Sequence, residues 1–120
     1  MIEIILFFKL LIGHAIADYC LQNDYISVNK NRNAIPKGYN PELHGAMQTI
    51  WPYVLSAHAL SHAGFTFFIT NNFYASLFEF TSHWLIDFGK CEKWYGIHTD
   101  QWLHIFVKVI IVFLFNNPTP

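Results

Sequence analysis

His83 and Asp87 stand four residues apart, and so do Asp100 and His104, at the two ends of HWLIDFGKCEKWYGIHTDQWLH, residues 83–104. On an α-helix, positions i and i+4 lie on one face about one turn, or ~6 Å, apart. Each end of the stretch therefore presents a nitrogen and an oxygen side by side. The charged loop between them is short enough to make the two helices antiparallel neighbours, so four ligand-type side chains can converge. The same spacing recurs at His14 and Asp18 in GHAIADYCLQ, and at His58 and His62 in SAHALSHAG. The four pairs use five of the seven histidines, each within an apolar segment. One histidine on an apolar face is ordinarily a hydrogen-bonded core residue. Four such pairs point to a shared polar or metal site, because buried ionisable groups need partners or ions.

Imidazole and carboxylate donors suit a divalent metal, zinc foremost, with manganese and iron as alternatives; no thiolate set points to copper or iron–sulfur. The candidate ligands are His14, Asp18, His58, His62, His83, Asp87, Asp100 and His104. Eight exceed what one tetrahedral ion takes. Either two ions ~3.5–4 Å apart are bound, or one ion is bound and some aspartates orient its histidines. An open coordination position would bring the pKa of a bound water to about 7, which is hydrolytic chemistry. Asp87 or Asp100 then serves as the catalytic base, and Lys90 is placed to hold an anionic or phosphate group. Gln22 and Gln101 are natural hydrogen-bond donors behind the ligands. His58 and His62 have the spacing of zinc helices, but the glutamate of HExxH is absent, which excludes that protease motif.

The elements that must position these residues read as four apolar helices, near 1–22, 46–70, 73–90 and 99–116. The chain is 53% hydrophobic and 18% aromatic but only 12% charged, against roughly 25% charged in soluble domains. That balance predicts one integral-membrane helical domain over residues 1–120, all-α, a four-helix transmembrane bundle with the His/Asp cluster between its helices. A soluble four-helix bundle is the competing architecture. Lys9 interrupts the first apolar run and must snorkel or face inward. The N-terminal run lacks a clean cleavage site and reads as a retained helix. Pro52 either kinks the second helix or marks its true start. The stretch 23–45, with its Asn, Pro and Gly, reads as a polar loop, and His44 falls there outside the paired pattern. Cys20 and Cys91 are too few and too separate for a disulfide framework. A net charge of −1 excludes a nucleic-acid partner, which would require a basic face; the expected partner is the lipid bilayer.

Lys30, Arg32, Lys37, Lys90 and Lys93 all lie in the loops 23–45 and 90–98. The positive-inside rule puts both loops in the cytoplasm and both termini outside, with four crossings. Three of the four pairs then fall within about two turns of the cytoplasmic helix ends, with His58 and His62 somewhat deeper. Sequence order did not require that agreement in depth. If the small residues Gly13, Ala57 and Gly64 are not used inside the bundle, they offer a face for a homo-oligomer.

At HAIADYCLQ, HALSH, HWLIDFGK and DQWLH the chain resembles the small membrane proteins of domain of unknown function 3307, found in bacteria and their phages. The likeness covers most of the length. It departs at Tyr19, where phenylalanine is usual, and in a longer loop around 31–47. The resemblance implies a multi-pass protein of the bacterial inner membrane but no activity. The His/Asp arrangement is also similar to that of membrane-bound metal-dependent hydrolases, which implies hydrolysis of a lipid-linked or phosphorylated substrate. The alternative is a non-enzymatic membrane protein whose polar network serves helix packing, ion or proton passage, or partner docking.

Overall fold

The computed structural model describes residues 1–119 and is all-α, with six α-helices and one π-helical segment among the described residues. In chain order they are α1 (Ile2–Ala15), continued without a break by the π-helical turn Ile16–Leu21, then α2 (Asp24–Asn29), α3 (Pro41–His44), α4 (Trp51–Thr70), α5 (Phe73–Cys91) and α6 (Ile97–Leu114). The four long elements close into a ring: α1 packs on α4 and α6, and α5 packs on α4 and α6.

Local chemistry sets most boundaries. The side chains of Asn23, Asn40 and Asn72 each accept a backbone N–H at the start of the following helix, the usual N-cap role of asparagine. Pro52 sits in the first turn of α4, where its missing N–H costs nothing. The second helix therefore begins at Trp51 rather than at residue 46, without a kink from Pro52. Residues 22–50 form a longer connection than the sequence suggests, and it contains α2 and α3. Asn71, in the left-handed region with φ 49°, ends α4 and lets α5 return at once.

Close helix approach comes from small residues. Ala17, Ala59, Ala63 and Ala75 are buried, and a Cβ on Gly13 would stand 3.0 Å from Ile69 Cδ1 and 3.2 Å from Phe65 Cβ. Gly64 has open space around it and takes no part in that approach. Leu10, Ala75, Val107, Ile111 and Val112 form the apolar core. It lies toward the end where the tail folds back, with Thr119 N–H donating to Asn71 O at 3.0 Å. Lys9 lies on the outer surface beside Thr70 and Asn116.

Both charged loops meet at the opposite end. Arg32 donates twice to Glu92, at 2.6 and 2.9 Å, and Asn33 Nδ2 donates to Cys91 O and Glu92 Oε1. The Arg32 hydrogen bond holds the Glu92 carboxyl below the usual range. This attachment is therefore present at neutral pH and is lost as pH falls through that lowered value. Two helices, Ile2–Leu21 and Ile97–Leu114, are long and apolar enough to cross a membrane.

The α5–α6 connection is tight. Tyr95 Oη donates to Ile86 O at 2.6 Å, and a Cβ on Gly89 would lie 2.6 Å from Tyr95 Oη and 2.9 Å from Trp94 Cε3. Gly89→Ala is expected to displace Tyr95 and cost about 1–3 kcal/mol, read as a lowered unfolding midpoint in detergent. An unchanged midpoint would show that the connection has slack.

Candidate metal centre

Each long helix carries a polar stripe on its inner face. On α5 it runs Glu79, His83, Asp87; on α6, Asp100, His104, Lys108; on α4, His58, His62, Thr66, Thr70, every one of them buried. On the first helix, His14 is buried and Asp18 lies one turn on, within the π-helical turn. That turn widens the helix, with Gln22 N–H donating to Ala17 O at 3.1 Å. Such turns recur at functional sites. Here the turn contains Asp18.

All eight residues singled out by spacing come together. Asp18 Oδ1 is 3.0 Å from His62 Nε2 and 3.4 Å from His58 Nε2, and its Oδ2 is 3.3 Å from His14 Nε2. Asp87 is the second hub. Its Oδ1 is 3.2 Å from His104 Nε2, and its Oδ2 is 3.4 Å from His58 Nε2 and 3.7 Å from His83 Nε2. Asp100 Oδ1 stands 3.6 Å from His104 Nε2. The imidazoles crowd one another, with the His83 ring centroid 3.6 Å from that of His62 and 4.2 Å from that of His104. His44 is elsewhere; its Nδ1 accepts Asn40 N–H and closes α3.

Two overlapping sets could hold a metal ion: Asp18, His58, His62 and His83, and His83, Asp87 and His104, with ligand atoms within 4.8 Å of one another in each. His83 belongs to both. His14 and Asp100 stand outside both sets, His14 against Asp18, His62 and His104, and Asp100 against His104. A tetrahedral shell with bonds of ~2.0–2.1 Å has ligand–ligand edges of roughly 3.4 Å, close to the N···O separations at Asp18 and Asp87. The donors also lack other occupation. His58 Nε2, His62 Nδ1, both ring nitrogens of His83 and Asp100 Oδ1 are buried without a hydrogen-bond partner, which buried polar groups rarely tolerate. These residues fit a divalent ion.

Three charged residues that the spacing did not single out complete the site. Lys30, from the end of α2, is 6% exposed, and its Nζ donates to Asp87 Oδ2 and to Gln22 Oε1. Gln22 is thus an acceptor for Lys30 rather than a donor to the cluster. Gln101 does donate, to Asp18 Oδ2 at 3.3 Å and Asp100 Oδ2 at 3.1 Å. Beneath His83, Glu79 pairs with Lys108, both fully buried. Both had a signal, since 79–83–87 and 100–104–108 extend the four-residue stripes. Lys30 had none, because its partner lies 57 residues away. Above the cluster opens a small pocket walled by Asp18, Asp87, Asp100, Lys30, Lys90 and Gln101. Lys90 Nζ lies there, 3.6 Å from Asp100 Oδ2.

In metal-free protein, Asp87 is the counter-charge of buried Lys30. Asp87→Ala is expected to cost about 3–5 kcal/mol in chelator-treated protein, because an uncompensated buried ammonium remains. Adding Lys30→Met should recover much of that loss. Equal stability of Asp87→Ala and wild type in denaturant titration would sink this account.

The family model described as "Protein of unknown function (DUF3307)" matches residues 6–119, nearly the whole chain, and the protein belongs to that family. No curated protein and no solved structure matches it.

Proposed function

From that membership, which carries no activity, we propose that the protein is a multi-pass membrane protein with a metal centre inside its bundle, hydrolysing a lipid-linked or phosphorylated substrate. The observation that carries this is the convergence of five imidazoles with Asp18, Asp87 and Asp100, from all four long helices, with the Nε2 atoms of His58 and His83 buried there without a hydrogen-bond partner.

Support for four crossings comes from where polarity lies. Among the described residues, Phe8, Tyr53, Leu60, Phe68, Leu77, Leu85, Phe106 and Phe113 are exposed, while Glu79, Asp87, Asp100 and Lys108 are buried. Water would reverse that distribution, whereas lipid favours it. α4 and α5 are 20 and 19 residues long, or about 28–30 Å at 1.5 Å per residue. Their average hydropathy is lowered by residues on the inner face, which lipid never meets. The clustering of Lys30, Arg32, Lys90 and Lys93 at one end favours a cytoplasmic position for that end, in a bacterial inner membrane.

In this proposal the metal, zinc foremost with manganese or iron as alternatives, supplies a bound water of lowered pKa. Asp18, His58, His62, His83, Asp87 and His104 hold one ion or a close pair. Asp87 is committed to three histidines and Lys30. Asp100 lies outside both ligand sets, faces the pocket and keeps an unpartnered Oδ1, so Asp100 is the better general base. Lys30 and Lys90 at the pocket wall suit a phosphate group, while the apolar remainder of the substrate stays in lipid. Proton or ion passage without catalysis is the second reading, favoured by the polar column continuing down to Glu79 and Lys108.

Elemental mass spectrometry of protein purified in detergent without chelator should find about one or two equivalents of zinc, manganese or iron. The metal should persist in His44→Ala and be lost in His83→Ala, the residue common to both sets. Metal-free wild type that is otherwise folded would overturn the metal centre. With metal bound, Asp100→Asn should lower turnover of a chromogenic phosphate ester by about 10²–10⁴-fold while retaining the ion. Turnover equal to wild type would remove Asp100 from the chemistry.

A further inference from the structure

Below the cluster, Glu79 and Lys108 form an ion pair with side-chain exposures of 1% and 2%. Nothing in the hydrolytic chemistry above uses them. A buried ion pair is weak ground for stability, since apolar side chains of similar volume often replace one without loss. The pair sits one turn beneath His83 on α5 and one turn beneath His104 on α6. Its contact with the cluster is specific: Glu79 Oε1 stands 3.6 Å from His83 Nδ1, on the ring edge opposite Nε2, which faces Asp87 at 3.7 Å. His83 Nδ1 has no hydrogen-bond partner among the described residues. A small rotation of either side chain brings the carboxylate into hydrogen-bond range, a tightening that sites commonly undergo when loaded.

We propose that Glu79 is a positioning residue for the metal ligand His83, and that Lys108 fixes Glu79 in place; this rests on the metal centre proposed above. A carboxylate accepting Nδ1–H selects the tautomer whose Nε2 lone pair points into the cluster. It also orients the ring and raises the basicity of that nitrogen, as partners of metal-bound histidines do. Because His83 is shared by both ligand sets, its orientation affects the whole centre. Lys108 holds Glu79 from α6, so two antiparallel helices fix one imidazole. His104, on α6 itself, has its Nε2 within reach of both Asp87 and Asp100. His83 has one carboxylate within 4 Å of each ring nitrogen, Glu79 at Nδ1 and Asp87 at Nε2.

The test uses the full chain in detergent micelles and titrates Zn²⁺ and Co²⁺ into wild type, Glu79→Gln, and the double variant Glu79→Leu with Lys108→Met. The double variant removes the buried charges together and should unfold near the wild-type midpoint. It should bind either ion about 10–100-fold more weakly, with an altered visible spectrum of bound Co²⁺. Glu79→Gln keeps the side-chain shape and serves if the double variant does not fold; it should show the same loss and spectral change. Wild-type affinity and an unchanged Co²⁺ spectrum in a folded variant would make the pair a packing element and overturn the proposal. Wild type that binds neither ion would overturn the metal centre itself, a result distinct from a variant that binds as well as wild type.

Discussion

Charge burial is the constraint on which the rest of this structure depends. Four carboxylates, Asp18, Glu79, Asp87 and Asp100, lie in or against the bundle interior. An isolated ionised carboxylate there would be prohibitive, so each must be answered. Lys108 answers Glu79, Lys30 answers Asp87, and Lys90 reaches Asp100. Asp18 has no lysine; it has His14, His58, His62 and Gln101. With neutral imidazoles one negative charge is left over, centred where three histidine nitrogens point at one carboxylate. A bound cation or a shared proton balances it. The metal we propose is thus an answer to an electrostatic excess as well as a reading of ligand types.

The same constraint dictates the packing. Imidazoles and long charged side chains occupy the middle of the bundle, so the helices can close around them only where other interior positions are small. Ala59 and Ala63 flank His58 and His62 on α4, and Gly13 precedes His14 where the first helix meets α4. The π-helical turn solves a related problem. A regular helix would continue the α1 stripe at fixed spacing, whereas the extra residue per turn alters how Asp18 projects from the helix carrying His14. The loop 22–50 is part of the same solution, because Lys30 reaches its partner only when that loop is folded down onto α5.

Spacing alone made the eight central residues and the four long helices legible, since both rest on a period near four that sequence displays directly. Glu79 and Lys108 are equally periodic, but a pattern of His and Asp alone stops one member short in each stripe. Lys30 was illegible in principle, because a loop residue has no periodicity and its role depends on a tertiary contact. The start of α4 was misplaced because residues 46–50 are mixed in character and say nothing of caps, although Pro at a first turn was the better of the two readings of Pro52. The caps Asn23 and Asn40 were visible as residues, but the helices they begin are only six and four residues long. Helices that short have almost no pattern of their own and depend on tertiary packing.

Hydropathy and geometry weigh α4 and α5 differently, and the difference has a physical origin. A sliding average treats Glu79, His83 and Asp87 as though lipid had to solvate them. In the folded bundle they are solvated by His62, His104, Lys30 and Lys108, while Leu77, Leu85 and Tyr74 face outward from the same helix. A buried polar stripe lowers a helix's average hydropathy even when its outer face is fully apolar. Ile2–Leu21 and α6 pass such a test although they carry polar stripes too, because their long apolar runs outweigh them. The two that do not pass are paired with each other around His58, His62 and His83, the most histidine-rich side of the cluster. The low averages of α4 and α5 therefore report buried polar side chains rather than a polar outer face.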